Sequence, residues 1–246
     1  MTAPDITACP VIAAVKNEAQ LARALESECE VVFLLFGDIL SIAELTQRTA
    51  DAGKYPVVHL DLIAGLSPRE IAVDFIAKTT CACGLISTRP SLIRRAKELG
   101  LFTVLRVFVI DSMALENIAR DRALVEPDVF EILPGVMPDV LRRICASIST
   151  PVIAGGLLSQ KKDVLAALDA GAVAVSTTDE ALWRARNIAA PKNAQRLHAK
   201  TPCAVKADHC YDCKSPGRIC RALTVLWGAM MGSDMEVVLV NEDLGY

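Results

Sequence analysis

What narrows the choice of fold first is an alternation repeated eight times along the chain. Short runs rich in apolar and β-branched residues fall near 11–16, 31–36, 56–61, 83–87, 102–109, 129–133, 151–154 and 172–176. Between and after them lie helix-period segments at 18–28, 41–52, 68–78, 90–99, 112–123, 138–147, 160–170 and 179–188. Runs such as VVFLLF and LFTVLRVFVI are apolar on both faces. That pattern suits parallel strands buried between a barrel interior and covering helices. Eight β-α units in succession predict a compact (β/α)8 barrel over residues 1–183, with residues 184–246 left as a separate appendage. An open doubly wound sheet is the alternative, but it normally carries a G-x-G-x-x-G turn after its first strand, and VIAAVKNEAQ has none.

The punctuation agrees with this reading. Ser41, Ser67, Ser112 and Ser159 stand where helix N-caps belong. Pro68 and Pro90 suit first helical positions, where no N–H is needed, and Gly53, Gly100 and Gly171 suit the residue after a helix end. Composition excludes other classes. A chain that is 52% hydrophobic with a net charge of −3 is not intrinsically disordered. No apolar run reaches the ~18–20 residues of a membrane span. The opening MTAPDITACP lacks a secretory signal's basic and apolar regions, so the expected compartment is the cytoplasm. Charge divides the chain at the same place as the pattern: residues 1–183 carry 17 basic and 23 acidic side chains, residues 184–246 carry 9 and 6.

In such a barrel a ligand lies at the carboxyl ends of the strands. The seventh run ends IAGGL and the eighth AVAVSTT. Glycines let backbone N–H groups approach an anion, and hydroxyls complete the cradle, so Gly155, Gly156, Ser176 and Thr177 are expected to hold a phosphoryl group. The plainer alternative is a tight Gly-Gly turn. His59 and Asp61, two apart on the third run, should point to one face and hydrogen-bond ligand hydroxyls, or else tie loops together. Arg106 interrupts an apolar run and needs a partner: Glu131, Asp61 or the ligand. No nucleophile–base pair or metal triad is evident among the three histidines. Lys16, Glu131 and Asp61 still leave open a barrel enzyme acting on a small phosphorylated metabolite.

The strand-end segments VHLDLIAGL (58–66), GLISTR (84–89), TVLRVFVIDSMAL (103–115), FEILPGVMPDVL (130–141), VIAGGLL (152–158) and AGAVAVSTTDEALW (170–183) together resemble the glycerol-3-phosphate-responsive antiterminator family of the glycerol uptake operon. The resemblance covers about residues 10–183. It implies a non-enzymatic regulator: a barrel that needs no cofactor, binds glycerol 3-phosphate and engages a leader mRNA to prevent premature termination. The phosphate would then sit on Gly155, Gly156, Ser176 and Thr177, with the glycerol hydroxyls facing His59, Asp61, Arg106 and Glu131. For the RNA, the surface around Arg94 and Arg95 on the fourth helix is the expected contributor, although such charge runs are more often solvated faces.

The appendage carries Cys203-x6-Cys210-x2-Cys213-x6-Cys220. Four cysteines with a central C-x2-C could hold zinc or an iron–sulfur cluster, which would make the protein a metal-dependent interaction module, or they could remain free thiols. RNIAAPKNAQRL (186–197), CYDCKSPGRICRA (210–222) and VVLVNEDLGY (237–246) resemble the C-terminal segment of LUD (lactate-utilisation-like) domain proteins, without that family's larger α/β body. A strand at 236–240 with no sheet neighbours implies a loosely packed tail or a homo-oligomer contact.

Overall fold

In the computed structural model, which describes residues 9–184, eight strands alternate with eight helices and close into a parallel barrel in sequence order. The elements are β1 (Val11–Val15), α1 (Glu18–Leu25), β2 (Val31–Leu34), α2 (Ile42–Asp51), β3 (Tyr55–His59), α3 (Glu70–Thr79), β4 (Gly84–Ser87) and α4 (Pro90–Glu98). They continue with β5 (Phe102–Phe108), α5 (Ser112–Val125), β6 (Val129–Leu133), α6 (Pro138–Ser147), β7 (Val152–Gly155), α7 (Lys161–Asp169), β8 (Ala174–Thr177) and α8 (Glu180–Trp183). Closure comes from the pairing of β8 with β1, Ile12 opposite Ser176. The expected barrel is thus the observed one. The Cys203, Cys210, Cys213 and Cys220 cluster and the strand at 236–240 lie outside the described residues.

Alternation along each strand separates two apolar layers. One set, including Val32, Leu34, Val58, Leu85, Phe130 and Val175, packs outward against helix residues such as Leu21, Ile42, Ile76 and Val164. The other, Ile12, Phe33, Val57, Ile86, Val104, Val129, Ile153 and Ala174, fills the barrel interior. These interior residues belong to the lower half of the barrel. Two residues further along β3, β5, β6 and β8 the inward positions become polar, giving His59, Arg106, Glu131 and Ser176, all at most 9% exposed. The interior is therefore a dry plug topped by a polar layer, and the site stands on that layer.

Several local expectations are corrected. Ser112 is the first residue of α5; the cap is Asp111, whose carboxylate accepts from the Ala114 N–H at 2.9 Å. α7 is capped by Gln160 in a capping box with Asp163, not by Ser159. Ser41 does precede α2, but its side chain makes no capping bond. α3 begins at Glu70, so Ser67 and Pro68 belong to the loop before it. β3 ends at His59, and a 3-10 turn over Leu60–Leu62 follows. Asp61 therefore does not share a strand face with His59.

Candidate functional site at the carboxyl mouth of the barrel

The polar layer is built by register. Arg106 lies directly opposite Glu131 on β5 and β6, and Gly155 directly opposite Ser176 on β7 and β8. Glu131 is fully buried, a position a carboxylate holds only if it is paired and hydrogen-bonded. Both of its oxygens are satisfied: Arg106 Nε donates to Oε2 at 2.7 Å, and Ser176 Oγ to Oε1 at 2.5 Å. Gly155 makes this possible. A Cβ there would stand 2.7 Å from Ser176 Oγ and 2.8 Å from Glu131 Oε1, so a side chain at 155 would displace that bond.

Above the layer opens a cavity of about 1030 Å³. Arg106, Glu131, Ser176, Thr177, Gly156 and Lys16 line it, together with Leu158, Thr178 and Asp179. Only the Nε of Arg106 is bonded to Glu131; the two terminal guanidinium nitrogens of this cavity-lining residue have no acceptor among the described residues and remain available to a ligand. Lys16, exposed at the end of β1, has no carboxylate partner among the described residues. Asp179 brings an opposing charge, although its carboxylate is engaged as the α8 cap, accepting from the Ala181 N–H at 3.0 Å.

The β7–α7 turn supplies further donors. Gly156 sits at φ +75° and Leu157 at φ +62°. A non-glycine residue in the left-handed region costs roughly 1–2 kcal/mol, and such strain tends to be retained where it shapes a site. The backbone N–H groups of Gly156, Leu157 and Leu158 meet no protein acceptor among the described residues. Thr177 Oγ1 donates to the Leu158 carbonyl at 2.8 Å and so clamps the β8 end to this turn. The two segments expected to converge, 155–156 and 176–177, do so, and the space above them is open. Thr177 acts there as a tie between loops, and Gly155 as a permissive position in the wall. The rim is apolar: Leu62, Phe108 and Leu157 are 48%, 53% and 76% exposed.

His59 and Asp61 stand apart from the cavity lining. Asp61 holds the β4–α4 loop, its carboxylate accepting from Ser87 Oγ (3.0 Å), Thr88 N–H (2.7 Å) and Thr88 Oγ1 (3.1 Å). His59 is buried, and its Nδ1 has no hydrogen-bond partner. Burial, then the nearby Arg106 charge, pulls its pKa down to about 4, so the imidazole is neutral at pH 7. On α4, Arg95 is engaged by Asp74 at 2.6 Å and Glu98 at 2.9 Å, whereas Arg94 has only a 3.8 Å contact with Glu70. That face carries less free positive charge than its sequence suggests. No helix among the described residues is long and apolar enough to cross a membrane.

The Gly156 amide was expected from the sequence; the free amides of Leu157 and Leu158 and the part played by the β6–α6 turn were not. The Gly135 N–H donates to the Gly155 carbonyl at 2.5 Å and to that of Gly156 at 3.1 Å, bracing the strained turn from the other side. The Pro134-Gly135 pair after β6 was the available signal.

Residues 11–183 match the family model described as glycerol-3-phosphate responsive antiterminator, and residues 173–240 match the LUD domain model. The Escherichia coli (strain K12) protein YgcP is 42% identical over 174 residues, covering 71% of this chain and 91% of its own length. Among solved structures, the glycerol uptake operon antiterminator regulatory protein from Listeria monocytogenes aligns with a TM-score of 0.69 at 31% identity, covering 71% of this chain and 95% of that one. A glycerol uptake operon antiterminator-related protein from Thermotoga maritima aligns with a TM-score of 0.64 at 30% identity, covering 74% and 99%.

Proposed function

The chain belongs to the glycerol-3-phosphate responsive antiterminator family, and from that premise we propose that its barrel is a sensor that binds glycerol 3-phosphate at the carboxyl mouth and, so loaded, engages a leader mRNA. One observation carries the ligand assignment. The Arg106 fork, the Lys16 ammonium and the unpaired amides of Gly156, Leu157 and Leu158 all belong to one cavity lined by β8. Amides at a left-handed turn and a free guanidinium are donors matched to a dianionic phosphoryl group. The Ser176–Glu131 pair beneath supplies acceptor oxygens for hydroxyls.

The same geometry speaks for binding over turnover. Glu131 is fixed between two donors, and Asp61 is committed to the β4–α4 loop and is not among the cavity-lining residues. Of the three side chains that could serve an acid–base mechanism, only Lys16 is both in the cavity and uncommitted. For regulation, the ligand must favour the RNA-binding form: a tenfold gain in RNA affinity requires tenfold tighter ligand binding to that form, about 1.4 kcal/mol.

The test is calorimetric titration of the full chain with glycerol 3-phosphate, glycerol and inorganic phosphate, paired with leader-RNA binding at fixed salt. The reading expects saturable binding of glycerol 3-phosphate recovered unchanged, weaker binding of either fragment, and tighter RNA binding when the ligand is present. Turnover of a phosphorylated metabolite, or RNA affinity indifferent to the ligand, overturns it. On α4, Arg94→Ala should lower the salt slope of RNA binding by about one if Arg94 meets a phosphate, whereas Arg95→Ala should not.

A further inference from the structure

The opposite end of the barrel carries a group of side chains that the ligand site does not use. Cys9 and Cys29 each stand two residues before a strand, β1 and β2, and these strands are hydrogen-bonded parallel neighbours whose register, Ala13 opposite Val32, sets the two cysteines one residue apart diagonally. With strands ~4.8 Å apart and a rise of ~3.3 Å per residue, that diagonal is roughly 6 Å, within the ~4.4–6.8 Å Cα separation that a disulfide requires. Cys29 is fully buried, and its thiol donates to the Trp183 carbonyl at 3.8 Å. Cys9 is only partly buried and is therefore reachable from solvent.

Beside the pair lies Lys54, 8% exposed, whose ammonium donates to the carbonyls of Ser27 at 2.8 Å and Cys29 at 2.7 Å. It forms no ion pair with a carboxylate among the described residues. The ionisable groups acting on it are Cys29, Cys9 and Glu30. A buried ammonium answered only by carbonyl dipoles is costly, and a thiolate beside it offsets that cost. The cysteines divide the roles. Contact with Cys29, then the N–H groups of Val11 and Glu30, bring the Cys9 thiol down to about 6, against burial and the Glu30 charge. Contact with Cys9, then burial, push the Cys29 thiol up.

We propose that Cys9 and Cys29 form a peroxide-reactive dithiol, with Cys9 the attacking sulfur and Cys29 the resolving one. The Cys9 thiolate attacks one peroxide oxygen and the O–O bond breaks. Sulfur gives up two electrons to become a sulfenic acid, and the departing hydroxide takes a proton to leave as water. The Cys29 sulfur then attacks Cys9 Sγ. The S–O bond breaks, the S–S bond forms, and the Cys29 proton leaves with the hydroxyl as a second water. An external thiol reductant reverses the bridge.

The test treats the reduced full chain with a small excess of hydrogen peroxide and maps cysteine states by peptide mass spectrometry. A Cys9–Cys29 disulfide is expected before any oxidation of Cys145, a half-buried thiol whose pKa burial raises to about 11. Cys29→Ser should instead accumulate a Cys9 sulfenic acid trapped by dimedone. In the unmodified protein, Cys9 should alkylate at pH 7 at least tenfold faster than Cys145, with a midpoint near pH 6. Lys54→Met should slow that alkylation several-fold. An alkylation midpoint for Cys9 at pH 8 or above, or peroxide oxidation that leaves Cys9 a free thiol, overturns the proposal even where a substituted chain fails to fold.

Discussion

Gly155→Ala probes the wall of the site at its tightest point. The added methyl would lie 2.7 Å from Ser176 Oγ, 2.8 Å from Glu131 Oε1 and 3.3 Å from Glu131 Cγ. The first two are ends of side chains, so the backbone need not move. They are, however, bonded to each other at 2.5 Å, and making room separates them. The loss is then a hydrogen bond to a buried carboxylate, about 1.5–3 kcal/mol, and Glu131 keeps Arg106 as its single donor. At about 2–4 °C per kcal/mol for a domain of this size, the melting temperature should fall by roughly 3–12 °C. The assay is denaturant and thermal unfolding of the full chain, run as a cycle with Ser176→Ala. Removing Oγ both deletes the bond and makes space, so the alanine at 155 should cost at least ~1 kcal/mol less in that background. Additive effects within ~0.5 kcal/mol, or a single substitution that leaves stability unchanged, would refute the steric argument.

Three further outcomes follow from the same layer. Arg106→Met leaves the Glu131 carboxylate buried without its cation and should destabilise by about 3–5 kcal/mol; adding Glu131→Gln should restore at least ~1 kcal/mol, measured by urea unfolding, while ligand binding stays lost. Lys16→Ala should change stability by less than ~0.5 kcal/mol yet weaken glycerol 3-phosphate binding by roughly tenfold or more, the loss of one charge-assisted bond, read by calorimetry. For His59, the folded pKa of about 4 lies below the unfolded value of 6.5, so its contribution is fully present above pH 6.5 and is lost as pH falls toward 4. The stability advantage of the wild type over His59→Gln should shrink by up to about 3 kcal/mol across that window, and parallel pH–stability curves would contradict it.

How far the sequence could be read depended on the range of the interaction involved. Strand and helix positions were legible because burial on both faces leaves a continuous apolar run, as in VVFLLF, and a helix leaves a 3.6-residue period; all eight pairs appear where the pattern puts them. The convergence of 155–156 with 176–177 was legible because barrel closure makes β7 and β8 neighbours. Arg106 and Glu131 were each visible as a charge within an apolar run, but their pairing depends on register across 25 residues. Asp61 was misplaced because two-residue alternation was carried past His59, where the chain turns into a 3-10 segment. Ser112 drew attention as a cap although its neighbour Asp111 accepts the bond, since capping depends on backbone angles that both residue types can adopt. The left-handed Leu157 left no sign in composition. Its conformation is set by the neighbouring turn over Gly135 and by the clamp from Thr177 to Leu158.

The central claim is that the phosphoryl group of glycerol 3-phosphate is held where the β7–α7 turn, the end of β8 and the Arg106 fork meet. A crystal structure of the full chain grown with saturating glycerol 3-phosphate addresses it most directly. The account predicts phosphoryl oxygens within hydrogen-bond reach of the amides of residues 156–158 and of the Arg106 guanidinium, with Lys16 closing over them. A ligand bound elsewhere on the barrel, or a mouth filled only by water at saturation, would contradict it.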